Sequence, residues 1–146
     1  MKLGIIVGAI MEKEFPIVNA DEDLTNCVKS TAEDNACLVI NQGDFAGFID
    51  REIILQGFLE AKDKVSENEL ISKISIIDYY SDAAELFNLI KNERDLVIVK
   101  RHNNIVGIVA KRDLKKIGII YSRIVGLKKQ KQIIEPLENI YKLQAT

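Results

Sequence analysis

The chain of 146 residues is poor in the side chains from which metal centres and many catalytic sites are built. It has one histidine, His102, and two cysteines, Cys27 and Cys37, which lie in apolar stretches without CxxC spacing. This pattern favours two small buried hydrophobic side chains in a reducing compartment over a disulfide or a metal site. No second histidine, recognisable pair of catalytic carboxylates or nucleophile motif accompanies them. The sequence therefore predicts that the protein is not an enzyme.

Long hydrophobic runs are also missing, since no apolar segment approaches the roughly 20 residues of a membrane-spanning helix. The opening MKLGIIVGAIMEKEF contains an apolar patch that is too short and too soon interrupted for a signal peptide. Neither sign of charge is in large excess, and a net charge of −2 argues against a surface built throughout for nucleic acid. We therefore expect a cytoplasmic globular protein without a membrane partner.

An internal repeat dominates what is present. The segments Ala36–Ile54 (ACLVINQGDFAGFIDREII) and Leu96–Leu114 (LVIVKRHNNIVGIVAKRDL) align with Gly47 over Gly107, 60 residues apart. Each copy has the pattern of a strand, a polar turn, a second strand and a helix. Such a unit must bury its apolar face on something, and two copies most simply bury their faces on each other.

An extended segment and a helix are predicted before each copy. In the first half, Phe15–Val18 is extended, because Pro16 disfavours the helical conformation at the preceding residue, and a helix with acids at its start follows Asp23. In the second half, Ile74–Ile77 is extended, and Ser81 is predicted to cap a helix. The apolar stripe of that helix comprises Ala83, Leu86, Phe87 and Ile90.

The polar turns Asn41–Asp44 and Arg101–Asn104 predict hairpins, with His102 exposed at the tip of the second. Short helices are expected from Arg51 to about Phe58 and from Asp113 to about Ile117. The element order is thus β-α-β-β-α in each half, and the fold class is α+β.

These elements divide the chain into a first repeat (residues 1–60), a linker (61–70), a second repeat (71–118) and a basic, amphipathic tail (119–146). The linker AKDKVSENEL is charged and poor in apolar periodicity. Pro136 is expected to start or kink a helix in the tail. The apolar residues of that helix are Ile133, Leu137, Ile140 and Tyr141.

The second copy resembles the cystathionine β-synthase (CBS) domain family. The signature of such a domain is an apolar strand with Gly-Ile-Val, a short polar interval and Asp-Leu opening a helix, and VGIVAKRDL (residues 106–114) fits it. IVGAIMEKEFPIV (residues 6–18) resembles the leading segment of a first such domain. The resemblance covers roughly residues 6–118. It implies a tandem CBS pair, or Bateman module, with two repeats related by a pseudo-twofold axis, two clefts between them and a C-terminal helical tail.

The resemblance also implies an adenosine-containing ligand, such as AMP, ADP, ATP or S-adenosylmethionine. In the family, the Asp of the motif holds the ribose hydroxyls, and a Ser or Thr three residues after the Gly contacts ribose or phosphate. Asp113 matches the first position, whereas Ala110 stands at the second. Lys111 and Arg112 are candidates for phosphate contact beside a helix N-terminus.

In the first half, Ile53 and Asp50 occupy the ribose and hydroxyl positions. Isoleucine accepts no hydrogen bond from ribose, and a carboxylate repels phosphate. One competent cleft is therefore predicted, on the side of Asp113. Its expected residues are Ile76, Ile77, Asp78, Ile108, Ala110, Lys111, Arg112 and Asp113.

Several alternatives remain open at this point. Asp113 also suits a helix N-cap, a role compatible with ligand binding. The leading hypothesis is a regulatory module that forms a homodimer and signals to an unidentified protein. The alternative is a degenerate pair that serves only dimerisation or protein interaction, which Ile53 and Ala110 favour. A basic stripe could attract nucleic acid, but without interleaved aromatics a solvated helix face is favoured. The stripe comprises Lys115, Lys116, Arg123, Lys128, Lys129 and Lys131.

Overall fold

The computed structural model describes residues 2–33 and 36–141, with the backbone alone at residues 30, 32–33 and 128–141. The predicted α+β class and the β-α-β-β-α order are confirmed in both halves. The strands are β1 (Ile17–Asn19), β2 (Ala36–Asn41), β3 (Asp44–Asp50), β4 (Ser75–Asp78), β5 (Leu96–Arg101) and β6 (Asn104–Ala110). The helices are α1 (Thr25–Glu33), α2 (Arg51–Leu59), α3 (Leu86–Leu89) and α4 (Leu114–Tyr141).

Each half contains a three-stranded sheet with the same topology. The first strand runs parallel to the second, and the second is antiparallel to the third. Both hairpins turn on two residues with positive φ, 52° and 82° at Gln42 and Gly43 and 52° and 66° at His102 and Asn103. These values fit the type I′ turn, whose twist matches that of the flanking strands. The predicted hairpins are confirmed, and His102 is exposed at its tip.

The two sheets bury their facing sides on each other, as the repeat predicts. Side chains alternate along a strand, so Leu38 and Ile98 face the opposite sheet while Val39 and Val99 face the helical layer of their own half. The buried core between the sheets comprises Ala36, Leu38, Phe48, Leu96, Ile98, Ile108 and Ala110.

Residues 3–12 precede β1 in sequence but pack on the second half. The backbone N–H groups of Val7 and Gly8 donate to the carbonyls of Ser81 and Tyr79. Further along, Glu12 and Ile108 exchange two backbone hydrogen bonds of 2.8 and 3.1 Å. Residues Ile5, Val7, Ile10 and Met11 are buried in the core of the second half.

Residues 61–70, predicted to be a polar linker, occupy the corresponding place on the first half. Val65 starts a 3₁₀ turn (Val65–Glu67) and is fully buried in the first core. Ile71 then exchanges two backbone hydrogen bonds with Phe48, as Glu12 does with Ile108. The leading segment of each half therefore packs on the other half, and we call residues 3–12 and 62–71 the crossing segments.

Two helix predictions need correction. Asp82 rather than Ser81 caps the helix of the second half, because its carboxylate accepts the N–H of Ala84 and also those of Leu3 and Gly4. The helix opens as a 3₁₀ turn (Ala83–Glu85), and Phe87 of the predicted stripe is exposed.

The short helix predicted after Asp113 and the tail helix are one element. Helix α4 continues from Leu114 through Pro136, which neither starts nor ends it. The predicted apolar stripe of the tail, and the basic residues from 128 onward, have no described side chains. Within the described chain, no helix has both the length and the apolarity needed to cross a membrane.

Gly107 should tolerate no side chain, because a Cβ there would lie 2.5 Å from the Met11 sulfur and 2.8 Å from the Glu12 carbonyl oxygen. We predict that Gly107→Ala lowers the free energy of unfolding by about 1–3 kcal/mol, the usual cost of overpacking. The matched control is Gly118→Ala in α4, where no described atom lies within 4 Å of the added carbon. That variant should gain about 0.5–1 kcal/mol, since alanine favours the helix. Urea denaturation measures both, and an unchanged Gly107→Ala variant would contradict the close crossing.

Candidate functional site

Asp113 sits in the turn that opens α4, and its side chain is 1% exposed. Its Oδ2 accepts the backbone N–H of Ala110 at 2.8 Å, and its Oδ1 accepts Lys116 Nζ at 2.8 Å. Ala110 holds the N-cap position, so the carboxylate stabilises the helix start from the third residue of the turn rather than as the cap itself. Burial raises the pKa of Asp113.

Glu12 reaches this turn from the crossing segment. Arg112 donates two hydrogen bonds to it, from Nε to Oε1 at 2.9 Å and from Nη2 to Oε2 at 2.8 Å. The Arg112 hydrogen bonds hold the pKa of Glu12 below its ordinary value of 4.5. The carboxyl groups of Glu12 and Asp113 also interact, and the Glu12 charge adds to the burial that raises the pKa of Asp113.

We call Glu12, Arg112, Asp113 and Lys116 the charged cluster. It ties the crossing segment to α4, since Lys116 Nζ also donates to the Ile10 carbonyl at 3.3 Å. The motif predicts Asp113 and Arg112 but gives no sign of Glu12 or of the role of Lys116. The correspondence of Glu12 with Ile71 is visible only in the structure, where the two crossing segments align through their bonds to Ile108 and Phe48.

A cleft of about 240 Å³ lies where the two halves meet. Most of its lining comes from equivalent positions of the two repeats, which places the cleft on the pseudo-twofold axis, and we call it the central cleft. The equivalent pairs are Ala36 and Leu96, Asp50 and Ala110, Arg51 and Lys111, and Glu52 and Arg112. Three of the predicted site residues, Ala110, Lys111 and Arg112, thus line it, whereas the buried Asp113 does not.

An ion pair crosses the central cleft from one half to the other. Arg94 Nε donates to Asp50 Oδ2 at 2.8 Å, and Asp50 Oδ1 accepts the Ile53 N–H as the N-cap of α2. A second pair joins Lys111 to Glu93 at 3.3 Å. Asp50, predicted as a carboxylate that repels phosphate, is thus paired with an arginine of the second half.

The predicted residues of β4 lie apart from the central cleft. Ile77 is buried in the core of the second half, whereas Ile76 is 57% exposed. Asp78 is exposed and accepts the Tyr80 N–H. Ile108 is buried between the sheets, where its backbone bonds Glu12.

The first half is open at the place that the charged cluster fills in the second. Ile53, Gln56 and Ile71 stand at the positions of Asp113, Lys116 and Glu12, and they line a cleft of about 570 Å³. Among the described residues, no group of three or more histidine, cysteine or acidic side chains is placed to hold a metal ion.

Comparison of this geometry with solved structures identifies the fold. A putative signal-transduction protein with CBS domains from Burkholderia ambifaria MC40-6 superposes with a TM-score of 0.64 at 21% identity, over 80% of this chain and 95% of that one. A hemolysin-like CBS protein of Oenococcus oeni PSU gives 0.63 at 16% identity, over 77% and 88%. The chain has the tandem CBS-domain fold. No protein-family model matches its sequence, and no curated protein does.

A further CBS pair, that of protein MJ0100, was solved in complex with 5′-methylthioadenosine and S-adenosyl-L-methionine. It superposes with a TM-score of 0.59 at 15% identity, over 77% of this chain and 94% of that one. In the present CBS pair the two halves share a fold but differ in charge chemistry. The second half carries the charged cluster, and the first carries apolar side chains at the positions of its two acids.

The Glu12–Arg112 pair should make stability depend on pH. A carboxylate whose pKa is lowered by folding contributes stability above its unfolded value, and this contribution is lost as pH falls through the folded pKa. We predict that Glu12→Gln costs about 1–3 kcal/mol of unfolding free energy at neutral pH. The deficit should shrink as the pH falls below 4.5. Urea denaturation across this range, with Glu14→Gln as the exposed control, measures it, and a deficit independent of pH would contradict the pairing.

Proposed function

We propose that this CBS pair is a regulatory module that binds one adenosine-containing ligand, such as AMP, ADP, ATP or S-adenosylmethionine, beside Asp113. The observation that supports the proposal is the buried carboxylate of Asp113, which hydrogen bonds fix in the turn that follows the cleft-lining residues Ala110 and Lys111. Each of its oxygens already accepts one described hydrogen bond, so a ribose hydroxyl binds there in competition with Lys116. Such bonds to an ionised acceptor are short and strong.

The proposed mechanism is a shift between arrangements of the two halves. The central cleft is lined from both, so a ligand that enters it contacts both and favours the arrangement to which it binds more tightly. We expect the signal to pass to an unidentified protein from a homodimer formed through helices. The exposed apolar side chains Leu55, Phe58 and Leu59 on α2 support such packing. The buried cysteines Cys27 and Cys37, which form no disulfide with each other, support a reducing, cytoplasmic setting.

A specific observation favours the alternative, a degenerate pair that binds no nucleotide and serves dimerisation or protein interaction. Arg94, Lys111 and Arg112 line the central cleft, and each is already engaged by an acid of this chain. Ile53 removes the ribose acceptor from the first half.

A melting-temperature panel with AMP, ADP, ATP and S-adenosylmethionine separates the two candidates. A ligand at a hundred times its dissociation constant should add about 2.7 kcal/mol of stability. We predict that Asp113→Asn abolishes this shift, because the amide lacks the charge that holds ribose, while Asp44→Asn on the exposed first hairpin retains it. The melting temperatures without ligand report whether each variant folds. A flat panel for the wild type, with an intact dimer by light scattering, would favour the alternative.

A further inference from the structure

We propose that Glu12 determines the chemical class of the ligand. With Glu12 in place, the cleft beside Asp113 selects adenosine derivatives whose 5′ substituent is uncharged or cationic, such as a thioether or a sulfonium, over those with a 5′-phosphate. The inference rests on the proposed function, because it concerns the same site and the same adenosine group.

A phosphate bound beside Asp113 would be expected to use Arg112, the cation adjacent to Asp113 in sequence. Arg112 is already paired with Glu12. Both of its described hydrogen bonds go to Glu12 in a bidentate arrangement, and the two side chains are only 30% and 18% exposed. A phosphate that took Arg112 would leave the Glu12 carboxylate unpaired in a largely buried place. That penalty opposes phosphate binding.

Glu12 also places a second negative charge beside the ribose position. Its carboxylate interacts with that of Asp113, and Lys116 Nζ donates a hydrogen bond to Asp113 Oδ1. A 5′-phosphate attached to a ribose held by Asp113 would bring further negative charge to these two acids. A thioether adds no charge there, and a sulfonium is attracted to the acids.

Two other cations of the central cleft are also paired with acids. Lys111 is paired with Glu93, and Arg94 is paired with Asp50 and lies 3.7 Å from Glu52. A phosphate that used either of these two side chains would exchange an existing ion pair for a new one.

The acid pair is particular to the second half and is not a property of the fold. The first half has the same topology and an equivalent crossing segment, yet Ile71 and Ile53 stand at the positions of Glu12 and Asp113. Glu14, two residues after Glu12, is exposed and offers a matched control for the loss of one negative charge.

Calorimetric titration with AMP and 5′-methylthioadenosine, which differ only in the 5′ substituent, tests the proposal. The wild type should bind 5′-methylthioadenosine at least about tenfold more tightly than AMP. Glu12→Gln should shift the ratio of the two dissociation constants toward AMP by about tenfold, since it frees Arg112 and removes the repelling charge. Glu14→Gln should leave the ratio unchanged.

The salt dependence of the wild type keeps the test valid if Glu12→Gln does not fold. Raising NaCl from about 0.05 to about 0.5 M should improve AMP binding relative to 5′-methylthioadenosine, because screening weakens repulsion between like charges. Equal affinities in the wild type, or a ratio that Glu12→Gln leaves unchanged, would overturn the selectivity alone. If neither compound binds, the proposed function fails and the inference fails with it.

Discussion

The exchange of crossing segments is the constraint on which the rest of the structure depends. Each segment pairs its backbone with the last strand of the other half's sheet, Glu12 with Ile108 and Ile71 with Phe48. The approach is close because Gly107 and Gly47 present no side chain where the segment passes. This pairing closes both helical cores and brings Glu12 beside α4. Neither half is therefore complete without a segment that belongs, in sequence, to the other.

Local chemistry explains why much of the fold was predictable. The hairpins follow from turn residues that tolerate positive φ, and the burial of one sheet on the other follows from alternation within two similar copies. The crossing was not predictable, because the pairing of Glu12 with Ile108 depends on contacts far apart in sequence. Residues 61–70 have the composition of a linker, and only Val65, with the partly buried Leu70, packs on the core. The displaced helix cap has a simpler cause, since Ser81 and Asp82 are both good caps.

The site was predictable as a motif but not as a network. Spacing from Gly107 located Asp113, and the structure buries that carboxylate and fixes it by a hydrogen bond from the Ala110 N–H. Spacing also assigned Arg112 to a phosphate contact, whereas in the structure Arg112 is bonded to Glu12. Glu12 belongs to the crossing segment and lies outside the motif. A motif confined to nine residues carries no information about a side chain a hundred positions away. The physical consequence is large, since the Glu12 carboxylate offsets the positive charge of Arg112 that a ligand would otherwise meet.

The charged cluster also connects the proposed site to the rest of the molecule. Asp113 and Lys116 lie at the start of α4, while Glu12 and the Ile10 carbonyl belong to the crossing segment that leads back to the first half. A ligand that bonds Asp113 competes with Lys116 for the same oxygens and thereby changes how firmly α4 holds that segment. Arg94 and Asp50, which both line the central cleft, link the halves directly. Under the proposed function, a ligand that also fills the central cleft would contact this second connection, and one occupied site would then bias the arrangement of both halves.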